Sequence, residues 1–245
     1  MRQKILCSLL MLSVFFGPFT LKAQPNSYPK ITFEYSSIFD NSCSKAVNKT
    51  IEDSAIHELS IRVNEFSLAW NKDAKSLLTT TSRLTKIPFA FHEAKAAFHL
   101  CDAFSSMSIP LLINMRYFMR SLQGDSVGSM TQFTGLIFHE TLHRYIGDII
   151  KKLPGSTTAL LEKYKNEPTP VRNHLHLFAL MNEVYRSLGL ENDLRDIMIY
   201  EQRGSRYKAV LNRAREIVNL EGNEVFMREL KTVSTRLPKT IIQRK

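Results

Sequence analysis

The residues of this sequence with the clearest capacity for chemistry are His139, Glu140 and His143, which form the pattern His-Glu-x-x-His. Residues four apart lie on the same face of an α-helix, so both imidazoles can bind one metal ion. A glutamate beside the first histidine can take a proton from a zinc-bound water, whose pKa the ion lowers. The pattern therefore predicts Zn²⁺ at His139 and His143, with Glu140 as the general base of a hydrolase.

The segment around these residues has the pattern of a buried helix. A helix is predicted over residues 131–152, and Pro154 followed by Gly155 ends it. The alternative to a metal site is a buried helix whose two histidines have backbone or carboxylate partners. Apolar side chains stand next to the histidines at Leu136, Ile137, Phe138, Leu142 and Ile146.

A catalytic zinc ion usually has three protein ligands, so the sequence must supply another donor. A second helix is predicted from residue 170 to residue 188. On a helical projection its apolar side chains fall on one side with His174 in the middle of that arc, whereas His176 and Glu183 fall on the opposite side. We therefore predict His174 as the third ligand, with Glu183 and then His176 as alternatives. A histidine in the core, without a metal, is the other interpretation of His174.

The motif helix resembles that of the zincin superfamily of metallopeptidases, and the resemblance covers mainly residues 88–188. It does not extend to the metzincins, because Ile146 stands where their pattern needs glycine and Ile149 where it needs a ligand. The chain is more similar to the gluzincins, which take a glutamate from the next long helix, often after an asparagine. Asn182 and Glu183 form such a pair.

The same resemblance implies how a substrate would bind. In zincins the motif helix lies below a small sheet, and an edge strand of that sheet borders the cleft and pairs with an extended peptide. Residues 97–100 or 109–113 would form that strand here. Tyr145, Tyr185 or Arg172 would stabilise the oxyanion, and the sequence does not decide among them.

The hydrophobic pattern of the chain predicts an α+β fold that is mostly helical, with a small sheet before the motif helix. The segment from residue 24 to residue 48 is predicted to be a loop followed by one strand. The other predicted elements are a strand at 31–35, a helix at 54–76, two or three strands within 88–120, and helices at 193–219, with a break at Gly204 and Ser205, and at 223–237. Residues 111–117 could equally form a buried helix segment, because periodicity alone does not separate the two.

The N-terminal residues predict export. Residues 1–4 are basic, residues 5–16 are almost all apolar, and Ala23 offers a small residue for cleavage, as in a secretory signal peptide. No later stretch approaches the roughly 20 apolar residues that a membrane helix needs. We therefore predict a secreted or periplasmic protein with a signal peptide at 1–23 and one domain at 24–245.

Two cysteines remain after the predicted signal peptide, Cys43 and Cys101. In an oxidising compartment they predict a single disulfide. Two buried thiols are the alternative, because spacing alone does not reveal geometry.

The charge of the chain predicts acidic surroundings. The formal charge is +10, and Arg2, Lys4 and Lys22 of the predicted signal peptide account for three of it, which leaves +7. Such an excess favours an anionic envelope surface or acidic ligands. Nucleic acid is not predicted as a partner, because the basic residues are spread singly, except in the basic end of the chain at 239–245, and lack aromatic residues between them.

These features together predict a secreted or periplasmic zinc-dependent hydrolase, a peptidase acting on a peptide or protein substrate. One alternative is a zincin-like binding protein or envelope factor that catalyses nothing. Another is a basic periplasmic protein that binds acidic polymers through its C-terminal helices. Glu140 favours the enzyme, because a binding protein needs no base beside its metal ligands.

Overall fold

The computed structural model describes residues 28–203 and 205–236, which form an α+β fold that is mostly helical, as predicted. The predicted signal peptide at 1–23 and the basic end of the chain at 239–245 lie outside the described residues. In chain order the elements are β1 (Lys30–Tyr35), α1 (Ser37–Val47), α2 (Asp53–Thr85), β2 (Glu93–His99), β3 (Met107–Ser108), β4 (Leu111–Asn114), α3 (Arg120–Gln123), α4 (Met130–Ile150), α5 (Ala159–Lys163), α6 (Thr169–Ser187), α7 (Glu191–Glu201), α8 (Ser205–Glu221) and α9 (Asn223–Arg236).

The four strands form one mixed sheet in the order β1-β2-β4-β3. β1 and β4 run parallel to β2, whereas β3 is antiparallel to β4 and forms one edge. All four residues of β4 are buried, as expected inside a sheet. The prediction that 97–100 or 109–113 forms the edge strand is wrong, because these residues belong mainly to β2 and β4. The edge next to β4 is β3, which is too short to show an alternating pattern.

Helix α2 packs against the sheet and against α4 and α6. It is predicted to end near residue 76 but continues to Thr85. The extension has a polar sequence that is nevertheless buried. The hydroxyl of Thr81 donates to the carbonyl oxygen of Leu77 at 2.8 Å, and that of Thr85 to the carbonyl oxygen of Thr81 at 2.9 Å. Because these hydroxyls are satisfied within their own helix, the buried face continues through a polar segment.

After β1 the chain forms helix α1, which the sequence analysis did not predict. Only Asp40 and Cys43 of this helix are buried, so apolar spacing does not reveal it. Cys43 forms the predicted disulfide with Cys101, with their Cα atoms 6.1 Å apart. Both carboxylate oxygens of Asp40 lie 3.0 Å from the donating N–H of Leu100. These two links attach α1 to the end of β2.

The motif helix α4 contacts α2, α6 and α7, and α6 also contacts α8 and α9. A capping box begins α4, in which the Ser129 hydroxyl accepts from the N–H of Gln132 and the Gln132 side chain accepts from the N–H of Ser129. Gly135 permits the close approach of α7, because a Cβ there would lie 2.3 Å from the side chain of Ile197. Within the described part of the chain, no helix combines the length and apolar character needed to cross a membrane.

Candidate metal centre

Three histidine side chains meet between α4 and α6. His139 and His143 lie one turn apart on α4, and His174 lies near the start of α6. The Nε2 atoms of His139 and His143 are 3.1 Å apart, and those of His143 and His174 are 3.2 Å apart. One candidate ligand atom from each residue lies within 4.8 Å of the other two. The structure thus brings together the three histidines that the sequence predicts as ligands.

Two acceptors orient these rings. Nδ1 of His174 lies 2.6 Å from the carbonyl oxygen of Pro170, and Nδ1 of His139 lies 3.2 Å from Oε1 of Glu201. A carbonyl oxygen and an ionised carboxylate can only accept, so both Nδ1 atoms carry hydrogen and donate. When neutral, each of these two rings therefore presents an unprotonated Nε2 atom to the space that the three rings share.

The donor set fits a zinc ion. Unprotonated nitrogens crowded into one small space repel one another, and a cation between them removes that repulsion. Imidazole nitrogens bind zinc at about 2.0 to 2.1 Å, so two of them on one tetrahedral ion lie about 3.3 Å apart. The Nε2 separations of 3.1 and 3.2 Å are close to that value. A hydrogen-bonded Nδ1 on two of the rings is also the usual arrangement for metal-binding histidines.

Burial controls the protonation of the rings. It lowers the pKa of His143 to about 2 and that of His174 to about 4, and a positive charge on His139 acts in the same direction. Burial also acts to lower the pKa of His139, but its hydrogen bond and charge interaction with Glu201 outweigh this effect and raise that pKa. His143 and His174 are therefore neutral at pH 7, the form that binds a metal ion.

Glu140 lies on the same cleft as the three histidines, and its side chain is buried. Burial raises its pKa to about 7, opposed by a positive charge on His139 and reinforced by the charge of Glu201. A carboxyl group with a pKa in this range can both accept and release a proton at neutral pH. Its location and environment suit the predicted general base.

Glu201 and Arg215 form a buried support behind His139 that was not predicted. Oε1 of Glu201 faces His139, and Arg215 donates to Oε2. Cζ of Arg215 also lies 3.9 Å from the ring centroid of Phe178. Burial acts to raise the pKa of Glu201, but its interactions with His139 and Arg215 lower it, so the carboxylate is charged. A carboxylate partner is common for a metal-binding histidine, but choosing it among 23 acidic residues requires the fold.

His176 and Glu183, the alternative ligands, lie apart from the three histidines. Nε2 of His176 lies 2.7 Å from Oε2 of Glu229 in α9, and the His176 side chain is 1% exposed. Glu183 accepts a hydrogen bond from Arg186 at 2.5 Å. Although His176 lies on the side of α6 opposite the apolar arc, it is buried, because α9 covers that side of α6.

The predicted oxyanion donors do not line the cleft. Tyr145 is buried and donates to a backbone carbonyl oxygen at 2.7 Å, and Tyr185 packs against the ring of Phe138. Both are directed into the core, where their rings add apolar contacts. The tyrosines that line the cleft are instead Tyr117, Tyr200 and Tyr207.

A cleft of about 990 Å³ opens onto the three histidines and Glu140. One wall is the segment 102–109, which contains β3. Nδ2 of Asn114 holds this wall by donating to the carbonyl oxygens of Cys101 at 3.0 Å and Phe104 at 2.6 Å. Because β3 is an edge strand, its outer side has no strand partner in the part of the chain that the structure describes. The backbone groups on that side can therefore bind an extended ligand.

Comparison of the chain with protein-family models, with curated proteins and with solved structures gave no significant match. The chemistry assigned to the site therefore follows from its own residues and geometry.

Proposed function

We propose that this protein is a zinc-dependent hydrolase, a peptidase, that acts in a secreted or periplasmic location. The observation that carries the proposal is the convergence of His139, His143 and His174 beside Glu140 on one open cleft. The three histidines would hold Zn²⁺, which when bound activates water and polarises the carbonyl group of an amide. The disulfide between α1 and the end of β2 supports an oxidising compartment.

Glu140 supplies the acid–base chemistry in this proposal. Its carboxylate takes the proton of the attacking water, and the protonated carboxyl group then passes that proton to the leaving amine. Of the described residues, two other acidic ones line the cleft but have partners. Glu201 is engaged by His139 and Arg215, and Asp102 lies 2.6 Å from Nζ of Lys49. Glu140 is therefore the carboxylate available for proton transfer.

The cleft wall supports an extended peptide as the substrate. β3 offers an open strand edge along the cleft, and a peptide that pairs with it lies with its carbonyl groups directed across the site. Tyr117, Tyr200 and Tyr207 line this cleft, and we propose their hydroxyl groups as donors to an oxyanion. They replace the donors predicted from the sequence.

Glu140→Gln tests the proposal directly, because the amide keeps the shape of the side chain and cannot act as a base. We expect zinc content near one ion per chain in both parent and variant, and a loss of at least about a hundredfold in the hydrolysis of a quenched fluorescent peptide library. Hydrolysis that survives the substitution would refute the role of Glu140.

The proposed zinc site is tested by measuring the metal content of protein that is purified without added zinc. The parent should carry zinc and His139→Ala should not. A parent that holds zinc stoichiometrically but cleaves no peptide in the library would instead indicate the binding protein or envelope factor considered above.

A further inference from the structure

A second cavity, of about 390 Å³, adjoins the C-terminal end of β3. We call it the basic groove. Ser108 and Ile109 line both this groove and the large cleft, so the two cavities meet at the turn between β3 and β4. The basic groove is lined by Lys95, Ser108, Ile109, Pro110, Leu111, Arg144, Asp148 and Lys151.

Helix α4 connects the basic groove to the metal centre. Arg144 follows His143 directly, and Arg144, Asp148 and Lys151 are spaced by four and three residues, which places them on one face of the helix. At 1.5 Å per residue, Lys151 lies about 12 Å along the axis from His143. An extended peptide advances about 3.3 Å per residue, so two to four residues bridge the histidines and the groove.

Positive charge dominates the groove. Cζ of Arg144 lies 3.9 Å from the ring centroid of Phe91, which holds the guanidinium group in place. Among the described residues, neither Arg144 nor Lys151 forms an ion pair with a carboxylate. Lys95 does pair with Glu34, at 3.0 Å, but both side chains are more than half exposed, so this pair is weak. Asp148 is the single acidic residue among the described residues that line the groove.

We propose that the basic groove binds an acidic side chain of the substrate, two to four residues from the bond that is cleaved. The assignment rests on the proposed peptidase function and adds a preference for acidic peptides. A peptide paired with the open edge of β3 continues past Ser108 and Ile109 into the groove, where Arg144 and Lys151 face it. Cations in a partly enclosed groove attract a carboxylate more strongly than scattered surface lysines do.

The test measures binding, so that it does not depend on turnover. Zinc-loaded Glu140→Gln protein is titrated into fluorescein-labelled ten-residue peptides of alanine and leucine. One pair of peptides carries two glutamates or two glutamines near the N-terminus, and a second pair carries them near the C-terminus. Fluorescence anisotropy gives the Kd of each peptide. For one of the two placements we expect the glutamate peptide to bind about fivefold more tightly than the glutamine peptide, which is the effect of one or two exposed ion pairs. This preference should shrink as salt is added.

Lys151→Glu and Arg144→Gln should each reduce that preference. Lys152→Glu is the matched control, because Lys152 is exposed on the same end of α4 but lines neither cavity. A preference that survives Lys151→Glu, or that Lys152→Glu removes equally, would overturn the proposal. So would binding to anionic phospholipid vesicles that depends on Arg144 and Lys151 while the peptides show no preference. If the peptides bind with the charge preference but the parent hydrolyses none of them, the proposed peptidase function is refuted and the proposed role of the basic groove stands. If the parent hydrolyses peptides but shows no charge preference, the role of the basic groove is refuted and the peptidase function stands.

Discussion

Replacing Glu201 by glutamine tests whether the charge behind His139 strengthens the metal centre. Glutamine keeps the shape of the side chain and can still accept from Nδ1–H of His139, but it carries no charge. The side chains of His139 and Glu201 are 9% and 8% exposed and lie 3.2 Å apart, so water cannot replace the lost interaction. The carboxylate makes the ring a stronger donor of electrons to a metal ion, and the amide does not.

The size of the effect follows from this geometry. Loss of such a partner usually weakens metal binding about 10- to 100-fold, which is about 1.4 to 2.8 kcal/mol. The substitution also leaves the buried guanidinium of Arg215 without its carboxylate. Breaking a buried pair by removing one partner costs about 3 to 5 kcal/mol, so the free energy of unfolding should fall as well.

Two measurements separate these effects. Competition with a chromophoric chelator gives the Kd for zinc, and urea denaturation of the metal-free protein gives the free energy of unfolding. Glu229→Gln is the matched control, because Glu229 pairs with the buried His176 at 2.7 Å but lies apart from the metal centre. We expect both variants to be destabilised and only Glu201→Gln to lose zinc affinity. An unchanged Kd in Glu201→Gln, or an equal loss in Glu229→Gln, would refute the reasoning.

Three further changes have defined outcomes. His174→Ala should lose zinc on dialysis while Glu183→Ala keeps it, and equal metal content in the two would place the third ligand elsewhere. Gly135→Ala should lower the free energy of unfolding in urea by about 1 to 3 kcal/mol, because its Cβ would meet Ile197. The loss should be smaller in an Ile197→Ala background, and additive losses would contradict a direct clash. Burial lowers the pKa of His99 to about 4, and a backbone hydrogen bond that acts to raise this pKa has a smaller effect. The histidine is therefore protonated more readily in the unfolded chain than in the folded one. Stability should therefore fall by up to about 3 kcal/mol as the pH drops from about 6.5 to about 4, and less in His99→Leu. Identical pH profiles of chemical denaturation for the two proteins would exclude His99 as the cause.

The histidines of the site could be predicted because their signals are local. His139 and His143 follow from a fixed spacing on one helix, and His174 follows from its position on an apolar arc. The role of Glu201 depends instead on how α7 packs against α4, which no short stretch of sequence encodes. The same limit applies to the fold. Long helices show a clear apolar period, whereas β3 has only two residues and α1 buries only two side chains.

Under the function proposed above, the disulfide between Cys43 and Cys101 would connect the timing of activity to export. Cys101 directly precedes the wall segment 102–109, so the bond anchors that wall to α1. The two cysteines are 58 positions apart. In loop-closure models, a cross-link over this distance raises the free energy of the unfolded chain by about 4 kcal/mol, because it restricts the conformations open to that chain. A newly made chain in a reducing cytosol lacks this anchor, and we expect its cleft to be poorly formed. If the protein is the exported hydrolase proposed above, oxidation after export would then complete the cleft, and the cell that makes it would be spared its action.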